Sequence, residues 1–463
     1  MRSFLPKWLQ SSSNLIKAFV LVVAIFSAIQ PRNAHAIGLL RDAETEWFLH
    51  HISDPLFEAA GLDPKAVNIY IVNDNSINAF VSGGQNIFIN TGLILKVDNV
   101  NQLLAVIAHE TGHISGAHLA RNSDGGKGPT SVMMVSMLLG VAAMLAGSAD
   151  AGMGLIMGGQ TVAQRSYLKY TRVQESAADQ AGARLLEATD TSGVGLIETF
   201  RMFRDQELLS FRYQDPYARS HPMSGDRISI LEQNIQRSSF YDTPPNAEFE
   251  YWFERVRGKL GGYMNEPMQT LRNYPETETD IEARYARTYA YHKELNWDKA
   301  LSELQILIAE KPDDAYFQET AGQIHVENGH LNEALPYYRR AVYLMPNNAL
   351  IMTSLAHALV SLDTQKHNNE AIALLERVIL IEPDNDFAWR QLGMAYAQID
   401  ENEQASLATA ELFNLYGKYP ESRYHAKIAL DYFPEGSPKW IRAQDILIQT
   451  ENLMNDETGR NRR

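Results

Sequence analysis

The 463-residue chain has no cysteine. That excludes disulfides, thiolate metal sites, cysteine nucleophiles and a lipid-modified N-terminal cysteine. Any metal must therefore sit on nitrogen and oxygen donors. Positive charge is also short: 41 Lys and Arg against 56 Asp and Glu give a net charge of −15. Phosphates would repel such a chain, so nucleic acid is excluded as a general partner. The apolar run that ends at Ile29 is too short to span a bilayer comfortably, and the uncharged stretch 131–147, at 17 residues, is borderline. With 45% hydrophobic and 21% charged residues the chain is globular, and its length points to two domains.

The N-terminus carries Arg2, Lys7 and Lys17 with no acid, then the apolar run 18–29, Pro31 and the small-residue triplet Ala34-His35-Ala36. This is the layout of a secretory signal, 1–36, cleaved after Ala36. Its removal takes away four basic residues and leaves a net charge of −19. A chain without thiols suits an oxidising space, and the periplasm of a Gram-negative bacterium is the expected address.

Periodicity assigns a helix to 39–51, a strand to 67–72, and strands 77–81 and 86–90 around the bend Ser82-Gly83-Gly84-Gln85. Helices are expected at 101–119 and 172–187, so 37–258 reads as one α+β domain with a small sheet. The stretch 259–279 is rich in Gly, Pro, Asn, Thr and Glu and reads as a linker. Beyond it, Pro312 and Pro346 stand 34 residues apart and bring Ala300 and Ala334 into register. Allowing three extra residues near 364–369, Ala371 and Ala405 join that column. Gly322 matches Gly393, Gly329 marks a turn, and Trp389, Leu392 and Tyr396 fill the large positions. A period of 34 with small residues where two helices touch is the tetratricopeptide pattern, here over 280–420. Residues 421–463 supply a capping helix pair and a frayed tail.

Chemistry concentrates at His109-Glu110-Thr111-Gly112-His113. Histidines four apart share a helical face, so both imidazoles reach one ion, and Glu110 stands where it can touch a water on that ion. Flanking Leu103, Leu104, Val106, Ile107 and Ala108 bury the helix, and buried polar groups without partners cost about 1–3 kcal/mol each. A metal supplies the partner. A catalytic zinc takes three protein ligands and keeps one open position. The best third ligand is Glu175 in Gln174-Glu175-Ser176-Ala177-Ala178-Asp179, because the small residues permit a close helix approach. Asp179, four residues on, is placed to accept a proton from the far nitrogen of a ligating histidine.

These motifs in this order resemble the M48 family of metallopeptidases. Ser220-His221-Pro222 with Asp226-Arg227-Ile228 is similar to a further signature of that family, as are Asn78-Ala79-Phe80, Gly83-Gly84 and Ile89-Asn90-Thr91-Gly92. The resemblance implies an α+β zincin-like metallopeptidase domain followed by an all-α tetratricopeptide-repeat solenoid. It places one zinc per chain on His109, His113 and Glu175, with Glu110 as catalytic base and Asp179 as helper. His221 has two readings: a donor to the developing oxyanion, or a resting ligand in the open metal position.

The implied activity is that of an exported zinc metalloendopeptidase acting on unfolded or misassembled outer-membrane proteins, with the repeats binding clients or the outer-membrane assembly machinery. The alternative is a chaperone or adaptor in which proteolysis is secondary. An extended client would add to strand 77–81 as an exposed edge. The Met- and Gly-rich stretch 131–159 is expected to form a helical flap in peripheral contact with the membrane or client.

Overall fold

A computed structural model describes residues 38–117, 172–204, 217, 221 and 225–460. The expected signal 1–36 and the flap 131–159 lie outside the described residues. Four strands form a mixed sheet: β1 (Leu39–Leu40), β2 (Asn68–Val72), β3 (Ala79–Ser82) and β4 (Asn86–Asn90), in the order β1-β2-β4-β3. β2 and β4 run parallel from Asn68↔Asn86 to Val72↔Asn90, while β1 and β3 pair antiparallel. β3, two residues later than expected at its start, is bonded among the described residues to β4 alone and forms the edge of the sheet there.

The helix expected over 39–51 begins later. Leu39 and Leu40 pair with Ile71 and Val72, and α1 (Ala43–Ala59) starts behind Asp42, whose carboxylate accepts the Thr45 backbone N–H at 2.8 Å. That N-cap fixes the boundary. One sheet face, with Ile69, Ile71, Val81, Ile87 and Ile89, joins α1 and α3 (Val100–Ser115) in the core. Every residue of α3 from Val100 to His113 is buried. On the other face Tyr70, Phe88 and Phe80 stack across three strands at 5.1 and 5.0 Å between ring centres.

α4 (Arg172–Ala188) lies along α3 because glycines remove the barrier between them. A methyl on Gly112 would fall 2.8 Å from the Ala178 carbonyl oxygen, and one on Gly182 would fall 3.2 Å from the His109 nitrogen. The short α2 (Thr91–Lys96) follows β4, and α5 (Val194–Arg204) and α6 (Gly225–Ile235) complete the surround.

The expected linker 259–279 is instead largely helical: α7 (Ala247–Met264) runs through its start and α8 (Pro267–Asn273) follows. Its glycines serve packing. Methyls on Gly258 and Gly262 would stand 2.4 and 2.5 Å from carbonyl oxygens of Glu282 and Ala286 on α9 (Ile281–Lys293). A buried ionic network ties the same junction. Arg255 on α7 bonds Glu44 of α1 and reaches Asp314 at 2.6 Å, and Lys259 reaches Asp42 at 2.5 Å.

From α9 the chain continues as helix pairs: α9 with α10 (Trp297–Glu310), α11 (Ala315–Glu327) with α12 (Leu331–Leu344), α13 (Ala349–Ser361) with α14 (Gln365–Ile381), and α15 (Asp386–Gln398) with α16 (Asn402–Leu415). Ala300, Ala334 and Ala371 are fully buried where helices touch, while Ala405 is partly buried. A methyl on Gly322 would lie 2.8 Å from the Tyr338 ring, so the small residue makes room for the large one. Gly329 takes φ +77° in its turn, a conformation that favours glycine. α17 (Tyr419–Tyr432) and α18 (Pro438–Arg460) close the array.

Candidate metal centre

His109 and His113 project from the buried α3, and Glu175 and Asp179 face them from α4, all four being at most 3% exposed. His221, also buried, donates its N–H to the Tyr217 carbonyl at 2.8 Å, with its ring 4.6 Å from that of Tyr217. One ligand atom from each of His109, His113, Glu175 and His221 lies within 4.8 Å of the others. His113 Nε2 is 3.1 Å from His109 Nε2, and His221 Nδ1 is 3.2 Å from the same atom. Glu175 reaches His113 at 3.4 Å, His221 at 3.1 Å and His109 at 3.6 Å.

Behind the cluster, Asp179 Oδ1 stands 3.0 Å from His109 Nδ1, close enough for a hydrogen bond although the N–H is not aligned on the oxygen. Arg227 holds both acids. It donates to Asp179 through two nitrogens at 2.7 and 2.8 Å and approaches Glu175 at 3.0 Å. The sequence offered Arg227 only as part of a motif, with no cue to its partners. Its fork geometry is the arrangement by which an arginine fixes a carboxylate plane.

Burial dominates the titration of His113 and lowers it to about 3, against the hydrogen bond it makes to Glu175, so its imidazole is neutral. For Glu175 burial works the other way, yet the charge of His221 and hydrogen bonds from His113 and His221 hold the carboxyl well below its usual range. Asp179 is lowered too, because the close approach of His109 and the hydrogen bonds from Arg227 outweigh its burial. Glu110 differs. Burial pushes its carboxyl up, and the nearby His221 and His109 only partly restore it. Among the described residues no hydrogen bond of ordinary geometry reaches either Glu110 oxygen; the Val81 N–H lies nearby, and His221 Nε2 stands 3.4 Å away.

This donor set fits a metal ion. Nitrogens that approach each other at 3.1 and 3.2 Å cannot all carry protons toward the shared centre, whereas lone pairs converging with a carboxylate oxygen satisfy one cation. Nitrogen and oxygen donors of this kind suit zinc and its neighbours in the transition series. Asp179 and Arg227 would orient the ligands from behind.

The structure thus gathers His109, His113, Glu175, Glu110, Asp179 and His221, all the expected site residues, at one point. Ser220 and Pro222 lie outside the described residues.

Comparison with known proteins agrees with the geometry. Residues 42–235 match peptidase family M48, and residues 316–348 match the tetratricopeptide repeat. The chain carries an M48 peptidase domain and a tetratricopeptide repeat. It is similar to the beta-barrel assembly-enhancing proteases of Yersinia pestis (23% identity, covering 70% of this chain and 66% of that one) and of Escherichia coli K12 (23%, 69% and 66%). It therefore spans just under two thirds of those relatives' length. Among solved structures, the crystal structure of MamA aligns at 17% identity over 37% of this chain and 96% of that one, with a TM-score of 0.28, and nothing further rests on it. The fold of the M48 peptidase domain is the small mixed sheet with α3 and α4, and the site lies where those two helices face each other.

Proposed function

We propose that the protein is an exported zinc metalloendopeptidase that cleaves misfolded or misassembled outer-membrane proteins in the periplasm, with its repeats engaging clients or the assembly machinery. The observation that carries the reading is the convergence of His109, His113 and Glu175 in front of a Glu110 carboxylate that has no ordinary hydrogen-bond partner among the described residues. The names of the two relatives support the client class. A zinc ion on those three ligands would polarise the peptide carbonyl and bring the pKa of its water towards neutrality.

The remaining work falls to the chain's own groups. Glu110, raised by burial, has a proton affinity closer to working pH than an ordinary carboxylate, as a general base needs. It takes the proton of the attacking water and returns it to the leaving amine. Asp179 holds His109 in one tautomer and ring angle. β3, paired on one side only among the described residues, would offer its other edge to an extended substrate, and its Val81 N–H lies near Glu110, so a chain added there would run past the base. His221 contacts Glu175 and His109 at ligand distances, which favours the resting-ligand reading over the donor reading.

The adaptor reading keeps one observation in its favour, the cleft on the inner face of the repeats. One experiment weighs these readings: casein cleavage and bound zinc in wild type, Glu110→Gln and His221→Ala. Glu110→Gln is expected to lose cleavage by about 10²–10⁴-fold while keeping its zinc. His221→Ala is expected to cleave faster than wild type, and a loss of activity would return His221 to the donor role. Full cleavage by Glu110→Gln would refute the peptidase mechanism.

A further inference from the structure

The first helices of successive repeat pairs, α9, α11, α13 and α15, together with the start of α1 and with α7, line a cleft of about 440 Å³. The charges on its walls are answered by partners, with one exception. Lys259 pairs with Asp42 at 2.5 Å and Glu44 at 3.3 Å, Arg41 with Glu46 at 2.7 Å and Glu382 at 2.9 Å, and Glu327 with His292 at 2.7 Å. Glu319, on α11, makes no hydrogen bond or ion pair among the described residues. Burial first, and then the repulsion of Asp42, Glu44 and Glu46, push its carboxyl up to about 8 against the pull of Lys259. Aromatic rings line the same cleft. Tyr289 and Tyr338 are buried in the wall, while Tyr263 and Phe387 stand 44% and 38% exposed.

We propose that this cleft docks an extended polypeptide segment by taking one Lys or Arg side chain beside Glu319, among the rings of Tyr263, Tyr289, Tyr338 and Phe387. A cationic head would supply the counter-charge that Glu319 lacks, and its stem would lie on apolar ring surface. An anionic segment meets no free cation here, since Lys259 and Arg41 are already engaged. A neutral segment would leave the half-buried Glu319 carboxyl unanswered. Stacked helix pairs present extended concave surfaces of the kind that hold peptides, and the net charge of −15 draws basic segments inward. The inference concerns binding and stands whether or not the bound segment is later cleaved.

The test immobilises the full chain, with Glu110→Gln to prevent turnover. Four pools of peptides of about ten residues are passed over it, with randomised flanks and a central Arg, Lys, citrulline or Glu. The Arg and Lys pools are expected to be retained about tenfold better than the citrulline pool, with the Glu pool weakest. Adding Glu319→Gln is expected to level the first three. The preference should weaken from about pH 9 to about pH 6 as Glu319 takes up its proton. Arg41, Asp42, Lys259, Glu327, His357 and three tyrosines also line this space, and Glu44 and Glu46 act on Glu319 from beyond the lining; the Glu319→Gln chain keeps them all, so it serves as the reference. Because that substitution removes only an unanswered acid, its melting temperature should equal or exceed that of the parent. Equal retention of all pools, retention of none, or a basic preference that survives Glu319→Gln would overturn the proposal. If free agmatine displaced the Arg pool at the affinity of the peptides themselves, the polypeptide part would fall.

Discussion

Two of the buried charged clusters among the described residues are built on opposite rules. At the junction of α1, α7 and the repeats, Glu44, Asp314 and Asp42 are answered by Arg255 and Lys259, and Tyr285 donates a further hydrogen bond to Glu44 at 2.8 Å. The guanidinium of Arg255 also packs over the Trp252 and Phe317 rings at 4.3 and 4.2 Å. Around α3 and α4, by contrast, imidazole nitrogens face one another and Glu110 faces His221 only at 3.4 Å. A closed set of opposite charges holds parts together. A set of converging imidazole and carboxylate donors is one that could hold a cation.

Breaking the closed set should cost the most. Arg255→Ala leaves Glu44 and Asp314 buried without their main partner, and the expected loss is about 3–5 kcal/mol of unfolding free energy in urea titration. A loss below about 1 kcal/mol would mean the junction network is no tighter than a surface pair. The converging set should respond through the ion instead. Asp179→Asn is expected to weaken zinc binding by about 10–100-fold, read by competition with a chelator, with little change in the metal-free fold.

The smallest effect sharpens the contrast by pH. The Glu319 carboxyl sits at about 8 in the fold against its ordinary 4.5, so the folded chain keeps a proton that the unfolded chain releases. Stability from this group is full below about pH 4.5, falls as pH rises towards 8 and is flat above. Glu319 is partly exposed, so the difference from Glu319→Gln across that window is expected to reach no more than about 2 kcal/mol. Thermal melts of both chains between pH 5 and pH 8 would measure it, and parallel curves would contradict the shift.

Local rules made much of this readable in the sequence. Histidines at 109 and 113 with an apolar flank placed a polar pair on a buried helix, and the alanines between Glu175 and Asp179 announced a close approach that Gly112 and Gly182 complete. The 34-residue spacing placed the helix pairs. What failed was information that belongs to two segments at once. Gly258 and Gly262 look like linker composition until α9 lies against them. Leu39 and Leu40 form a strand too short to alternate, so their partner β2 decides their state. Arg227 is one cation among 41 basic residues, and only the fold shows that it grips Asp179 and Glu175.

The measurement closest to the central claim is zinc content of the purified full chain by mass spectrometry, in wild type, His109→Ala and Glu175→Ala. One ion per wild-type chain is expected, falling by at least about tenfold in each variant after dialysis against a weak chelator. Stoichiometric zinc retained by both variants would contradict a centre shared between α3 and α4.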